Sequence, residues 1–400
     1  MFQIDLNSPE FLADPYPTYR RLRETAPIHP LLPGVWLVVG YREADRILRD
    51  PRFGKDYLTG VARRYGPDAV HEPVFRILSR FMLVMNPPEH SRLRALVGKA
   101  FSVRLAPELR RLAHSAAEAL LDGFADQGQA DLVAALAYPL PVRVICALLG
   151  LRLEDSLMFQ RETQALARAF ELSPLGRDAI DAANHAAVLF EARFREFLHE
   201  RRQQPGDDLV SLLLRAEEGA HRLSEDEIIA NIVLLFVAGH ETTANMLGNA
   251  LLALHRHPEQ LALLRAQPDL LPRAVDEALR YDSAVQIAAR AALEDIEVGG
   301  VTLRRGDMVY VSLGAANRDP AVFADPERFL IERPEAGPNP LSFGGGAHYC
   351  LGARLARIEL ETALGAVLRR LPGLRLVELE QPRWRAGLTI RGVERLAAVW

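Results

Sequence analysis

Cysteine is almost missing from this sequence: Cys146 and Cys350 are the only two among 400 residues. That excludes a disulfide framework, and their separation excludes a paired-cysteine metal motif, so the chemistry fits a reducing, cytoplasmic setting. A surplus of positive charge is missing too. Lys and Arg number 48 against 52 Asp and Glu, a net charge of -4, which leaves no electrostatic basis for a nucleic-acid partner. No apolar run reaches the roughly 20 residues of a membrane span. The longest, from Ile228 to Gly239, is interrupted by Asn231 and reads as a buried helix. The N-terminus, MFQIDLNSPEFLADPYPTYRRL, places acids and prolines where a signal or membrane anchor needs a continuous apolar stretch. Flexible linkers and internal repeats are absent as well, and the Pro-rich piece at 333–340 is too short for a polyproline module.

What is there is ordinary globular material, 49% hydrophobic and 25% charged, enough to bury a large core. From about His90 to Tyr281, Leu, Ala and Val alternate with Arg and Glu at helical spacing. The pattern predicts helices over Arg94 to Phe101, Leu105 to Ala125, Ala179 to Arg202, Glu225 to His255 and Arg273 to Tyr281, with Ser224 and Glu227 spaced as a capping box. Strands are predicted in GVWLVVG at 34–40, in DIEVGGVTLRRGDMVYVSL at 295–313 with a hairpin turn at Gly299-Gly300, and in LRLV at 374–377.

Two clusters carry chemistry. In the first, Phe343-Gly-Gly-Gly-Ala-His-Tyr-Cys350-Leu-Gly352 runs into a helical pattern with Leu351, Leu355 and Ile358 on one face. Cys350 is thereby placed near a helix N-terminus, where amides and the helix dipole favour a thiolate. An isolated cysteine would more often be a small buried hydrophobe. A phosphate loop is disfavoured, because no Gly-Lys-Ser/Thr follows the glycines. In the second cluster, Ala238-Gly239-His240-Glu241-Thr242-Thr243 sits inside an apolar helix. Gly and Thr are poor helix-interior residues, so a local widening or kink is expected there. A zinc-protease motif fails because position 244 is Ala244. Further pairs share helix faces: Glu277 with Arg280, and His90 with Arg94.

The segments DPYPTYRRLR, PPEHSRLR, AGHETT, EALRY, GAANRDP, FADPERF and FGGGAHYCLG, in this order, resemble the cytochrome P-450 family, in its soluble bacterial branch. The resemblance spans nearly the whole chain. It implies one domain over residues 1–400, mainly α with a smaller β-rich region, in which a triangular prism holds haem between a distal helix and the cysteine loop. It implies that Cys350 is the axial thiolate of haem b, with Ala238, Phe343, Gly344 and Gly352 beside the cofactor. It assigns His90, Arg94, Arg290 and His348 to the haem propionates, Arg290 being placed just before the strand-rich segment. Glu241 and Thr242 are implied to manage proton delivery during O2 activation, and Glu277, Arg280 and Arg328 to form a fold-locking network. Substrate would be a small apolar molecule lined by Leu234, Leu235, Ala238, Val285, Ile287 and Leu388. Electrons would come from a ferredoxin or flavodoxin with its NAD(P)H reductase, docking on a surface with Arg92, Lys99, Arg104, Arg354 and Arg357. The implied activity is that of a monooxygenase, a peroxide-driven peroxygenase or a haem sensor being the alternatives.

Overall fold

A computed structural model describes residues 5–6, 8–102, 106–152, 154–218, 221–334 and 338–400. Arg104, Leu105 and residues 335–337 of the Pro-rich connector lie outside these. The chain forms two compact units, one from residues 1–54, 117–137 and 242–400, the other from 55–116 and 138–241.

The first unit contains most of the β structure, the short hairpin of Glu217–Glu218 and His221–Arg222 lying in the second. Its main sheet runs in the order Ile28–Leu32, Val35–Val38, Met308–Ser312, Ile287–Ala292, Phe53–Gly54. All neighbours are antiparallel except Met308–Ser312 beside Val35–Val38. The predicted stretch at 295–313 divides between two sheets. Ile296–Val298 and Val301–Leu303 form a separate hairpin, closed by Gly299 and Gly300 at φ 58° and 81°, the left-handed values that a tight hairpin turn requires. Met308–Ser312 instead joins the main sheet. Ile287–Ala292 was not expected as a strand, because IAARAA is rich in a residue of low β propensity; pairing on both edges decides its conformation. Arg290 accordingly lies within a strand, opposite Val309, and not before the strand-rich segment. The helix Tyr41–Arg49 buries Tyr41, Ala44, Ile47 and Leu48 in one cluster with Val309, Val311 and Leu341.

The second unit is mainly helical. Its aromatic centre is Phe190, Phe194 and Phe236, with centroids 5.7 to 6.0 Å apart. The expected helices form at Glu89–Ser102, Ala106–Leu121, Arg177–Gln203 and Glu225–Arg256, the second and fourth running on into the first unit, and at Leu271–Tyr281, which belongs to the first unit. The last starts earlier than predicted, since Pro272 occupies its first turn, where no amide is needed. The capping box is formed: the Ser224 amide donates to Glu227 Oε2 at 2.8 Å, and the Glu227 amide donates to Ser224 Oγ at 3.3 Å. The 32-residue helix Glu225–Arg256 is long and apolar enough to cross a membrane, yet 72% of its apolar window is buried within the protein. It is α-helical without a break through the 238–243 cluster, so the expected widening does not appear as an interruption.

Candidate active site

The two cysteines separate cleanly. Cys146 is buried, as a small hydrophobe should be, whereas Cys350 is exposed. The Cys350 amide donates to the Phe343 carbonyl at 2.9 Å, and the helix Ala353–Arg370 begins immediately after N-cap Gly352. Leu355 and Ile358 are buried on the helix face that the pattern predicted, whereas Leu351 lies before the helix start and is half-buried. Gly346, at φ 64°, cannot be replaced cheaply: a Cβ there would stand 2.4 Å from the Leu48 carbonyl oxygen. The short turn Gly346–His348 thus lies directly against the end of the Tyr41–Arg49 helix.

Residues absent from the sequence-based site hold this loop. Asn317, buried, accepts from the Leu341 amide at 2.6 Å and donates to Ser283 and Ser342, both at 2.9 Å. The Arg357 guanidinium lies 4.6 Å from the Phe343 ring centroid and donates to Asp276 at 2.9 Å. Arg357 and Arg92 each have a carboxylate partner within their own unit, Asp276 and Glu227.

Arg280 and Glu277 form the expected pair, bidentate at 2.8 Å for both bonds. The third member needs correction. Arg328 enters only through its carbonyl, which accepts from Arg280 at 3.0 Å. The side chain that joins Glu277 is Arg333, at 3.1 Å. The FADPERF turn brings the Arg328 main chain, not its exposed guanidinium, to Arg280. Burial pushes the Glu277 pKa up, but its hydrogen bonds and charge pairing with Arg280 and Arg333 leave it below the usual carboxylate range.

Arg290 contrasts with this. It is 3% exposed, and its guanidinium donates to the neighbouring Ala289 carbonyl at 3.1 Å. Among the described residues no carboxylate pairs with it, and burial alone pushes its pKa down to about 10. A buried cation without an anion is costly. A propionate is the anion that such a site fits.

In the second unit, His90 is buried on Glu89–Ser102 and Arg94 is half-buried one turn later. Along Glu225–Arg256, Val237 and His240 are buried while Ala238 is exposed and Gly239 half-buried, and a Cβ on Gly239 would meet nothing within 4 Å. This open, side-chain-poor patch on a buried helix fits a flat group. Glu241 is 1% exposed, and the Tyr138 hydroxyl donates to its Oε2 at 3.1 Å. Leu234 is buried and Leu235 half-buried.

In the first unit, Thr242 is half-buried. Thr243 is hydrogen-bonded to Glu359, whose pKa is pushed up to about 8 by burial. Ile287 and Leu388 are buried, and Val285 bridges to Ile390. Glu359 escaped sequence reasoning because a lone Glu on an amphipathic helix carries no signal of burial.

The family model for cytochrome P450 matches residues 61–374. The chain is 43% identical over 392 residues to cytochrome P450 133B1 of Xylella fastidiosa, covering 98% of this chain and 97% of that protein. Among solved structures, P450BioI in complex with acyl carrier protein bearing hexadec-9Z-enoic acid superposes with TM-score 0.90 at 36% identity, over 98% of this chain and all of that one. The myxobacterial cytochrome P450 CYP267B1 in complex with myristic acid gives TM-score 0.89 at 39% identity, over 98% of each chain. With an exposed cysteine on a glycine turn and a buried, unneutralised arginine already in place, these likenesses over nearly its whole length make the chain a member of the cytochrome P450 family.

Proposed function

We propose that this P450 monooxygenase inserts one atom of O2 into a C–H bond or alkene of an apolar molecule with a long acyl chain. It would use haem b and the electrons of a separate ferredoxin or flavodoxin with its NAD(P)H reductase, in the cytoplasm. The observation that carries the reading is the exposed Cys350, held by its amide to Phe343 at the start of Ala353–Arg370. Cys350 is the residue to hold the iron, with Phe343, Gly344 and Gly352 shaping its loop. Arg290, His348, His90 and Arg94 are the donors for propionates. When bound, the haem supplies oxygen activation, and a thiolate ligand favours O–O cleavage.

The chain's own residues supply the rest. Ala238 and Gly239 give a flat apolar surface in one unit, and the residues assigned to substrate are apolar in both, Leu234 and Leu235 in that unit and Val285, Ile287 and Leu388 in the other. Glu241 moves protons, while the Thr242 hydroxyl positions them by hydrogen bonding and does not itself titrate. Support for an acyl substrate comes from the ligands named with two relatives, myristic acid and a carrier-bound hexadecenoic acid. Glu241 beside Thr242 favours a monooxygenase over a peroxide-driven enzyme, which has less need of a proton relay.

The reduced, carbon-monoxide-bound protein is expected to show the red-shifted Soret band of thiolate ligation. A Cys350→Ala protein that kept this band would end the assignment. Titration with myristic acid is expected to shift the iron from low to high spin, and no shift with any acyl chain from C10 to C18 would remove the substrate class alone.

A further inference from the structure

Tyr138 opens the helix Pro139–Leu149, directly after a π-helical turn at Val133–Ala137, a backbone device often found beside functional groups. It is 5% exposed, and its hydroxyl reaches Glu241 Oε2 across 103 residues of sequence. Its ring meets His240 edge-on, with centroids 5.1 Å apart at 82°. Burial pushes the His240 pKa down to about 3, so the imidazole is neutral and brings no charge to the carboxyl beside it. Its two ring nitrogens have no hydrogen-bond partner among the described residues.

We propose that Tyr138 is a positioning residue for proton delivery: its O–H fixes Oε2 of Glu241 and so sets the direction in which that carboxyl passes protons. The proposal rests on reading Glu241 as the acid of the relay. A glutamate side chain has three rotatable bonds, and a wrong rotamer sends its proton elsewhere. One phenolic donor selects among those rotamers. Packing against His240 holds the phenol ring in turn. Tyr138→Phe removes only the donor and keeps the ring contact.

The test compares wild type, Tyr138→Phe, Glu241→Gln and the double variant as haem-loaded proteins, with a ferredoxin, its reductase and NADPH but no added substrate. Two electrons and two protons reduce O2 to hydrogen peroxide, whereas four of each reduce it to two waters. The readout is the share of NADPH recovered as peroxide. Tyr138→Phe is expected to raise that share at least twofold, Glu241→Gln at least as much, and the double variant no further than Glu241→Gln alone. A wild-type share in Tyr138→Phe, or additive effects in the double variant, overturns the proposal.

Denaturant unfolding gives a readout independent of turnover. The double variant should lose less stability than the sum of the single variants, since the two groups share one hydrogen bond. Strict additivity there denies the contact and overturns the proposal as well. A wild-type protein lacking the thiolate Soret band would instead refute the haem-thiolate reading, and this proposal with it.

Discussion

Arg280 and Arg290 lie on successive elements, the helix Leu271–Tyr281 and the strand Ile287–Ala292, and are equally hidden, at 1% and 3% exposure, yet their surroundings are opposite. Every nitrogen of Arg280 has an acceptor: both oxygens of Glu277 and the carbonyls of Asn317, Pro326 and Arg328. Arg290 has one neighbouring carbonyl and no carboxylate among the described residues. The same contrast divides two buried carboxyls, Glu277 held below the normal range by arginines and Glu359 raised to about 8 by burial. A buried charge that is saturated internally serves the fold. One left without its opposite is shifted towards its neutral form by burial.

The largest expected effect breaks the saturated side. Arg280→Ala leaves Glu277 buried with its main partner gone, and should cost about 3–5 kcal/mol in urea unfolding. A loss below about 1 kcal/mol would deny that this network locks the fold.

Next comes the uncompensated carboxyl. Glu359 has a folded pKa near 8 against 4.5 in the unfolded chain, so its contribution is full below pH 4.5 and is lost as pH rises towards 8. Converted at about 1.36 kcal/mol per pKa unit, the upper limit of that loss is about 5 kcal/mol. Glu359→Gln should flatten the fall in stability across this window, as followed by thermal melts at stepped pH. His240 has the reverse sign: with a folded pKa of about 3 against 6.5, its neutral form stabilises above pH 6.5 and that stability is lost as pH falls towards 3.

Arg290→Leu sharpens the comparison from the other side. Removing a buried cation with no carboxylate should leave the haem-free protein as stable as before or more so. Haem retention should weaken roughly tenfold to hundredfold, the value of one charge-assisted hydrogen bond of about 1.5–3 kcal/mol, read by haem transfer to apomyoglobin. Instability equal to that of Arg280→Ala would erase the distinction between the two arginines. The smallest effect is Arg328→Ala, within about 0.5 kcal/mol of wild type, because its carbonyl stays; Arg333→Ala should exceed it.

Much of the fold was legible because its signals are local. The capping box of Ser224 and Glu227, the Gly299-Gly300 turn and the apolar face of Ala353–Arg370 depend on residues within a few positions of one another. The strand Ile287–Ala292 was not legible, because alanines take strand geometry only when neighbouring strands supply the hydrogen bonds. Nor was Arg333. Its spacing from Glu277 resembles that of Arg328, and only the turn at 324–328, with Asp325 at φ 44°, decides which guanidinium faces inward.

For the site, the sequence alone determined the residue types: a thiol after glycines at a helix start, an acid followed by threonine within an apolar helix, and cations in recognisable segments. Spacing along the chain and side-chain chemistry suffice for that. Tertiary structure decided which charges are paired: Tyr138 on Glu241, Thr243 on Glu359, Arg333 on Glu277, and no carboxylate among the described residues on Arg290. The physical reason is that desolvation and hydrogen-bond saturation depend on groups separated by as much as a hundred residues or more, and neither quantity exists until the chain has brought them together.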